Sequence, residues 1–255
     1  MLVVISSAKT LDFKSQILLN RHTQPCFIDQ SEKLIEVLRK LKPKEIAELL
    51  SVNPSIAALN YERYAKWQMP FTSDNAKQSI LAFKGEVYRG LKAWTLTSVD
   101  FDYAQDHLRM ISGLYGLIRP LDLIQPYRLE MGIKLKTKTA PNIYKFWGDS
   151  ITEKLNEALK PMKKPVLINL ASAEYFKVVN TKLLAAPVII PEFLDSKNGQ
   201  YKSIVVYLKK ARGMLSRFII QNQLTDPEDI KGFDEEGYIF NSRLSKGNHW
   251  VFTRG

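Results

Sequence analysis

The sequence predicts an α+β fold, a mixed β-sheet surrounded by helices in a single compact domain, residues 1–255. Helical patterns dominate roughly the first 120 residues and strand patterns roughly the last 90, a segregation typical of α+β proteins. Hydrophobic residues make up 45% of the chain, which is enough to bury a core. No internal repeat, low-complexity tract or Gly/Ser linker divides the chain.

The first predicted strand, residues 2–5, is a short apolar run followed by a polar turn, Ser6-Ser7-Ala8-Lys9-Thr10. We expect this strand to join the sheet that the later strands form. Helices are predicted where apolar residues recur at helical spacing: 31–42, 43–50, 54–67, 73–83 and 98–112. In the last of these, His107 shares an apolar face with Phe101 and Ala104, which is typical of a core histidine.

The second half of the chain contains most of the predicted strands. Asp149 is placed to cap a helix that runs to residue 159, and a further helix is predicted at 210–221. Asn198-Gly199 is typical of a hairpin turn between two strands. The predicted strands are 165–170, 187–194, 201–208, 238–240 and 249–252.

The chain carries a net charge of +11 and has a pI near 9.5. Such a charge indicates a polyanionic partner: nucleic acid, a membrane surface or acidic small molecules. Two stretches lack carboxylates, and their cations are Lys197, Lys202, Lys209, Lys210, Arg212 and Arg217 in 196–225, and Lys134, Lys136, Lys138 and Lys145 in 131–148. On a strand, the lysines at 134, 136 and 138 would share one face, and we favour a solvated edge strand as the explanation for these three.

Several classes of protein are excluded by the sequence. No apolar run approaches the roughly 18 residues of a membrane helix, and the first residues do not form a signal peptide, so we expect a cytoplasmic protein. Cys26 is the one cysteine, which excludes an intramolecular disulfide and a multi-cysteine metal site. His22, His107 and His249 lack metal-ligand spacing, so no cofactor and no bound metal are expected.

The glycine-containing segment Ser112-Gly113-Leu114-Tyr115-Gly116 predicts a hairpin between two helices, within a helix-hairpin-helix element at about residues 98–130. Backbone N–H groups at such a turn can hold a phosphate oxygen. Arg109, Arg119 and Arg128 flank the segment and would add charged contacts. In the alternative interpretation, the glycines serve only a tight turn between packed helices.

Two further groups are candidate binding residues. Lys209, Lys210 and Arg212 lie at a predicted helix start, where positive charge interacts unfavourably with the helix dipole. A bound anion would offset this cost, and in the alternative interpretation the three side chains simply face solvent. Polar residues also follow predicted strands, a place where ligands often bind: Ser6, Lys9, Thr10, Asn169, Ser172 and Glu174. We add Lys84 and Glu86 to this group, for which ordinary solvated turn residues are the alternative interpretation. A lysine among them could bind phosphate or form a Schiff base.

Together these stretches resemble the YaaA family of peroxide stress response proteins. The resemblance runs from Met1 to about Phe252 and is carried by Ser7-Ala8-Lys9-Thr10-Leu11-Asp12, 80–88, 107–132, Phe146-Trp147-Gly148-Asp149, 168–172, 174–177 and 209–220. Ser7 departs from the family pattern, in which we expect proline, and so does the lysine-rich segment 134–138.

The resemblance implies a single-domain α+β fold with a helix-hairpin-helix element and a basic cleft. It also implies binding of duplex and branched DNA, protection from hydrogen peroxide and lower free intracellular iron. The residues that it implies for DNA binding are Ser112, Gly113, Leu114, Tyr115, Gly116 and Arg119 in the hairpin, and Lys9, Lys84, Arg109, Arg128, Lys177, Lys209, Lys210, Arg212 and Arg217 in the cleft.

Our first hypothesis is therefore a monomeric DNA-binding protein that recognises the DNA backbone, binds no membrane and limits peroxide- and iron-driven damage. Its affinity for DNA should fall steeply with salt. The alternative is a lyase- or glycosylase-like repair enzyme with Lys9, Lys84 or Lys209 as the amine and Glu86, Asp149 or Glu174 as acid or base. A third hypothesis is iron handling, for which the sequence supplies no ligand set; overall we favour a non-enzymatic role.

Overall fold

The computed structural model describes residues 1–15 and 19–255. This part of the chain forms twelve strands and ten α-helices. The strands are β1 (Leu2–Ser6), β2 (Thr10–Leu11), β3 (Lys77–Gln78), β4 (Phe83–Lys84), β5 (Leu108–Ser112), β6 (Gly116–Ile118), β7 (Leu123–Ile124), β8 (Leu167–Asn169), β9 (Val188–Lys197), β10 (Gln200–Lys202), β11 (Ile239–Phe240) and β12 (His249–Arg254).

The helices are α1 (Ile28–Leu38), α2 (Pro43–Leu50), α3 (Pro54–Lys66), α4 (Ser79–Ala82), α5 (Glu86–Leu91), α6 (Ser98–His107), α7 (Ile143–Trp147), α8 (Ser150–Leu159), α9 (Ala173–Phe176) and α10 (Val205–Gln221). Short 3₁₀ segments occur at Ala93–Thr95, Pro227–Gly232 and Glu235–Gly237. Outside residues 16–18, none of the helices is both long enough and apolar enough to cross a membrane.

An eight-stranded mixed sheet forms the centre of the fold, in the order β11-β12-β9-β8-β1-β5-β6, with β10 paired to β9. The five central strands, β12 through β5, run parallel, whereas β6, β10 and β11 are antiparallel to their neighbours. Two small sheets, β2-β4 and β3-β7, lie outside it. This arrangement confirms the predicted α+β class and the pairing of the first strand with later ones.

Strand β1 lies inside the sheet, and Leu2, Val3, Val4 and Ile5 are each at most 2% exposed. A continuous apolar run is what a parallel strand covered on both faces requires. The chain passes from β1 to β5 on one side, and later reaches β8 on the other side. The strand order therefore reverses at β1, which opens a crevice at the carboxyl ends of β1 and β8.

Helices α5 and α10 cross at two glycines. A Cβ on Gly90 would lie 2.1 Å from the backbone oxygen of Lys210, and a Cβ on Gly213 would lie 1.8 Å from that of Val87. Neither distance is compatible with a side chain, so the two backbones touch directly. This contact fixes the position of α10 relative to the loop that precedes α5.

Three predicted elements were wrong in whole or in part. Most of the predicted helix 73–83 is replaced by β3, the four-residue α4 and β4. The predicted helix 98–112 ends at His107, because Leu108–Ser112 pairs with β1 as strand β5. The predicted strand 201–208 is correct at residues 201–202, which belong to β10, but residues 205–208 start α10. The exposed Val205 and Val206 have the β-branched side chains that favour strands.

The predicted helix-hairpin-helix is also wrong, because Ser112 and Gly116 close a β-hairpin between β5 and β6. The Tyr115 N–H donates to Ser112 Oγ at 3.0 Å, and Gly116 has a φ of 68°. A Cβ on Gly113 would lie 2.3 Å from the backbone oxygen of Leu129. The glycines thus serve a tight, buried turn, but one that joins strands rather than helices.

Three other local predictions concern the turn at Asn198-Gly199, the cap at Asp149 and the lysine-rich segment 134–138. Asn198 and Gly199 form the predicted hairpin turn, with φ values of 54° and 73°. Asp149 stands at the N-cap position of α8, but its carboxylate accepts from Asn180 Nδ2 at 3.0 Å and does not cap the helix. Lys134, Lys136 and Lys138 are exposed, but they do not lie on a strand, so the interpretation of this segment as an edge strand is wrong.

Candidate functional site

A cavity of about 400 Å³ opens at the carboxyl ends of β1 and β8. Its walls come from four parts of the chain: the turn after β1, the loop after β8, the β4–α5 junction and helix α10. The lining residues are Ser6, Ser7, Ala8, Lys9, Thr10, Lys84, Gly85, Glu86, Val87, Tyr88, Leu170, Ser172, Glu174, Tyr175, Lys209 and Arg212. The polar strand-end residues grouped from the sequence thus come together, apart from Asn169.

Hydrogen bonds join the loops that form the cavity floor. The Ser172 N–H donates to Ser6 Oγ at 2.9 Å, and the Tyr88 hydroxyl donates to the Ser6 backbone oxygen at 3.0 Å. Thr10 pairs with Lys84 in the two-stranded sheet β2-β4. The turn after β1 is therefore held against both the β8 loop and the β4–α5 junction.

Helix α10 contributes Lys209 and Arg212, which are three residues apart and so share one face of the helix. Because α10 begins at Val205, both cations lie beyond its first turn. The prediction that they crowd a helix start is therefore wrong. Their place beside Lys84 follows instead from the glycine contact between α5 and α10.

The carboxylates at the cavity already have partners. Glu86 Oε1 lies 2.9 Å from Arg89 Nη1, and Glu174 Oε1 accepts from the Gly132 N–H at 3.0 Å. By contrast, three lining cations make no ion pair with any carboxylate of the described residues: Lys84, Lys209 and Arg212. The cavity thus presents cations that have no ion-pair partner among the described residues, although the charge of Glu192 also acts on Arg212 and raises its pKa against the effect of burial.

Lys9 is held differently, by the buried carboxylate of Glu130. Glu130 Oε1 lies 3.2 Å from Lys9 Nζ and 3.0 Å from Arg128 Nη2. Its other oxygen, Oε2, is buried and has no hydrogen-bond partner. This carboxylate fixes Lys9 at the cavity rim, while Lys9 itself remains exposed.

Burial shifts the pKa values of several groups around the cavity. It lowers the pKa of the Arg212 guanidinium, whose buried Nε has no hydrogen-bond partner. Burial raises the pKa of Tyr127 to about 12, although hydrogen bonds with Ser112 and Ser7 act in the opposite direction. Burial likewise raises the pKa of Tyr175. These phenols therefore remain protonated near neutral pH and act as neutral hydrogen-bonding groups.

A second cavity of about 290 Å³ adjoins the first and shares Lys84, Gly85 and Tyr88 with it. The greater part of its remaining lining is apolar and consists of Ile80, Leu81, Phe83 and Trp94, while Asp12, Ser15 and Arg89 are its polar members. Trp94 is 55% exposed, which is unusual for so large an apolar side chain. A cationic cavity and an apolar one therefore lie side by side.

Lys177 lies outside the cavity, in a neighbouring depression. Its Nζ is 5.4 Å from the centre of the Tyr144 ring, and Lys145 and Lys182 line the same depression. The Tyr144 hydroxyl donates to the backbone oxygen of Glu174 at 2.8 Å, which connects the depression to the cavity wall.

The remaining predicted cations contact the protein itself. Arg119 and Arg128 bind Asp122 and Glu130, and Lys210 binds Glu236. Arg217 donates to the backbone oxygens of Leu91 and Lys92 at 3.2 and 3.1 Å. Arg109 donates to the oxygens of Gln105 and Leu108, both at 2.8 Å, and burial lowers its pKa to about 10. Five predicted hairpin residues are buried: Ser112, Gly113, Leu114, Tyr115 and Gly116.

The sequence analysis missed Glu130, Tyr88 and Tyr175 as parts of this site. Glu130 is 121 positions from Lys9, and no local pattern links the two. Within the described ranges, 1–15 and 19–255, no three His, Cys, Asp or Glu side chains form a group that could hold a metal ion.

Compared with known protein families, the chain matches the family model described as peroxide stress protein YaaA over residues 1–244. The matched span contains every residue that lines the two cavities. It also contains all of the strands up to β11 and all of the helices given above.

Proposed function

The chain belongs to the YaaA family of peroxide stress proteins, and from this membership and the charge of its cavity we propose that it binds DNA by the sugar-phosphate backbone and thereby limits peroxide- and iron-driven damage. The observation that carries the proposal is the set of three cavity cations without a carboxylate partner, Lys84, Lys209 and Arg212. Phosphate groups are the anions that such side chains commonly bind.

The contacts in this proposal come from side chains and not from a glycine hairpin, since residues 112–116 are buried. Phosphate contacts position a protein on DNA without reading its sequence. The depression beside Lys177, with Lys145 and Lys182, extends the positive surface from the cavity. We therefore propose binding along a strand with little base preference, in duplex and branched DNA.

The experiment measures affinity for duplex, single-stranded and four-way-junction DNA across a salt series. The test variant is Lys84→Ala/Lys209→Ala. The matched control is Lys160→Ala/Lys163→Ala, which removes the same charge from exposed positions ahead of the amino end of β8, at the opposite end of that strand.

The slope of log K against log salt should become shallower by about 1.8 in the test variant if each lysine contacts one phosphate of a duplex, since each contact contributes about 0.9. The control should keep the slope of the unmodified protein. Equal effects of the two variants, or no salt-dependent binding at all, would overturn the proposal.

The enzymatic alternative uses the same lysines, but each of its candidate acid or base residues already has a hydrogen-bond or ion-pair partner in the protein. Glu86 binds Arg89, Glu174 accepts from Gly132, and Asp149 accepts from Asn180 outside the cavity. Borohydride treatment in the presence of abasic DNA would trap a Schiff base. A trapped adduct that is lost in Lys84→Ala or Lys209→Ala would replace the binding role with lyase chemistry.

A further inference from the structure

The cavity holds more positive charge than its own carboxylates balance. Four cations line it: Lys9, Lys84, Lys209 and Arg212. The lining carboxylates are Glu86 and Glu174. Both carboxylates are already bound, to Arg89 and to the N–H of Gly132. Lys9 is paired with Glu130 and Glu86 with Arg89, so three unpaired cations, Lys84, Lys209 and Arg212, face the one charge of Glu174. An excess of two positive charges remains in the cavity.

Arg212 is the most constrained of these cations. Its Nε is buried and has no hydrogen-bond acceptor, a rare condition for a buried donor. Its position in α10 is fixed by the direct backbone contact between Gly213 and α5. Arg212 lines the cavity and makes no ion pair with the described residues, so an anion bound there would supply the counter-charge that it lacks.

The cavity is larger than a lone phosphate requires. Its volume of about 400 Å³ exceeds the ~300 Å³ at which pockets for small organic ligands begin. The hydroxyls of Ser6 and Ser172 lie at the strand ends beside the cations, where the strand order reverses. Crevices at this position of parallel sheets are frequent ligand sites.

The apolar cavity next to it completes the chemistry of a nucleotide. It shares a wall with the cationic cavity through Lys84, Gly85 and Tyr88. Its exposed Trp94 offers an indole face, and aromatic side chains stack on bases regardless of base identity.

We propose that the two adjoining cavities form one nucleotide site, in which a phosphate monoester binds Arg212 and the nearby lysines while the base packs against Trp94. A monoester carries close to two negative charges at neutral pH, which matches the excess of two positive charges. The inference rests on the proposed function, because the same cations would contact DNA. It adds a ligand class: a mononucleotide, either free or at the 5′ end of a strand.

The first test is calorimetric titration of the full chain with deoxyadenosine 5′-monophosphate, deoxyadenosine and inorganic phosphate. We expect the nucleotide to bind at least ten-fold more tightly than either fragment. Trp94→Ala should weaken binding of the nucleotide by about ten-fold and leave binding of inorganic phosphate unchanged. Nucleotide binding no tighter than that of deoxyadenosine would overturn the inference.

Arg212→Lys keeps the charge but removes Nε and the planar guanidinium, and it should weaken the nucleotide at least five-fold. Its thermal unfolding midpoint, measured alongside, shows whether the variant is folded. If that midpoint falls sharply, Lys84→Ala, at an exposed position, takes its place with the same expected loss. Full nucleotide affinity in both variants would also overturn the inference.

A pair of duplexes that differ only in a 5′-phosphate or 5′-hydroxyl separates the two sources of the monoester. Tighter binding of the phosphorylated duplex identifies a strand end, and equal binding with retained nucleotide affinity identifies the free nucleotide. Salt-dependent duplex binding without nucleotide affinity leaves the DNA proposal intact and removes this inference. Nucleotide affinity without duplex binding removes the DNA proposal and leaves the nucleotide site intact.

Discussion

Glu130 illustrates how a single buried residue positions a surface cation. One of its oxygens serves both Lys9 and Arg128, at 3.2 and 3.0 Å, and the other oxygen is unpartnered. Removal of this carboxylate would leave Arg128, which is largely buried, without its counter-charge. An ion pair with Glu130 therefore holds Lys9 at the cavity, whereas Lys84 and Lys209 have no ion-pair partner among the described residues.

At the residue scale, His107 predicts how stability depends on pH. His107 Nδ1 lies 2.8 Å from the Met1 backbone oxygen, and its ring stacks on Tyr103 with 4.1 Å between centroids. Burial lowers its pKa below the usual 6.5. Protonation therefore favours the unfolded chain: the stability is full above pH ~6.5 and falls as the pH decreases towards the folded-state pKa.

Urea denaturation of the unmodified protein and of His107→Gln between pH 7.5 and 5.5 checks this prediction. The free energy of unfolding should decrease more in the unmodified protein than in the variant, which has no titrating group at this position. Parallel pH profiles for the two proteins would contradict it.

The arginines show what the sequence could not determine at this scale. Lys9, Lys84, Lys209 and Arg212 are the predicted binding residues that reach the cavity. Arg217 and Arg109 instead donate to backbone oxygens, and Arg119 binds Asp122. A charged side chain in a basic stretch looks the same in the sequence whether it faces a ligand or satisfies a carbonyl group.

At the scale of elements, the contact between α5 and α10 predicts a severe substitution. Gly213→Ala would place a methyl group 1.8 Å from the backbone oxygen of Val87, so the helices must separate. We expect a loss of about 3 kcal/mol in the free energy of unfolding, because overpacking of this kind usually costs 1–3 kcal/mol or more. Thermal and urea denaturation measure the effect.

Gly232→Ala is the matched control, because no atom lies within 4 Å of the added methyl group and its backbone is not left-handed. It should change the free energy of unfolding by less than about 0.5 kcal/mol, as surface substitutions do. If Gly213→Ala proves as mild as Gly232→Ala, the two helices do not cross as described.

Elements were predictable where the local pattern and the tertiary setting agree. β1, α2 and α3 follow from an apolar run or from helical spacing with a proline at the first turn. Residues 108–112 failed because Leu108 and Ile111 continue the helical spacing of α6, yet pairing with β1 makes them a strand. Nothing local signals that pairing, because the partner strand β1 lies at residues 2–6, far earlier in the chain.

At the scale of the whole molecule, the sheet joins the ends of the described chain. β1 pairs with β8, β8 with β9, and β9 with β12. One set of buried apolar side chains runs from Met1 to Phe252. We therefore predict a single cooperative unfolding transition, in keeping with the expectation of one domain from the sequence.

Urea unfolding followed by tryptophan fluorescence and by far-ultraviolet circular dichroism tests this prediction. The two curves should coincide, because the buried Trp67, Trp147 and Trp250 report on distant parts of the core. Separate midpoints would show that the chain consists of two independently stable units.

The central place of β1 also determines the order in which the chain can fold. Val3 pairs with Leu108, and Leu2 pairs with Leu167, so the strand is synthesised long before either neighbour. Until both arrive, its apolar run remains an unpaired edge of the kind that chaperones protect. A protein assembled from contacts so distant in the chain folds slowly, and a ribosome must translate about two thirds of it before its first strand is enclosed.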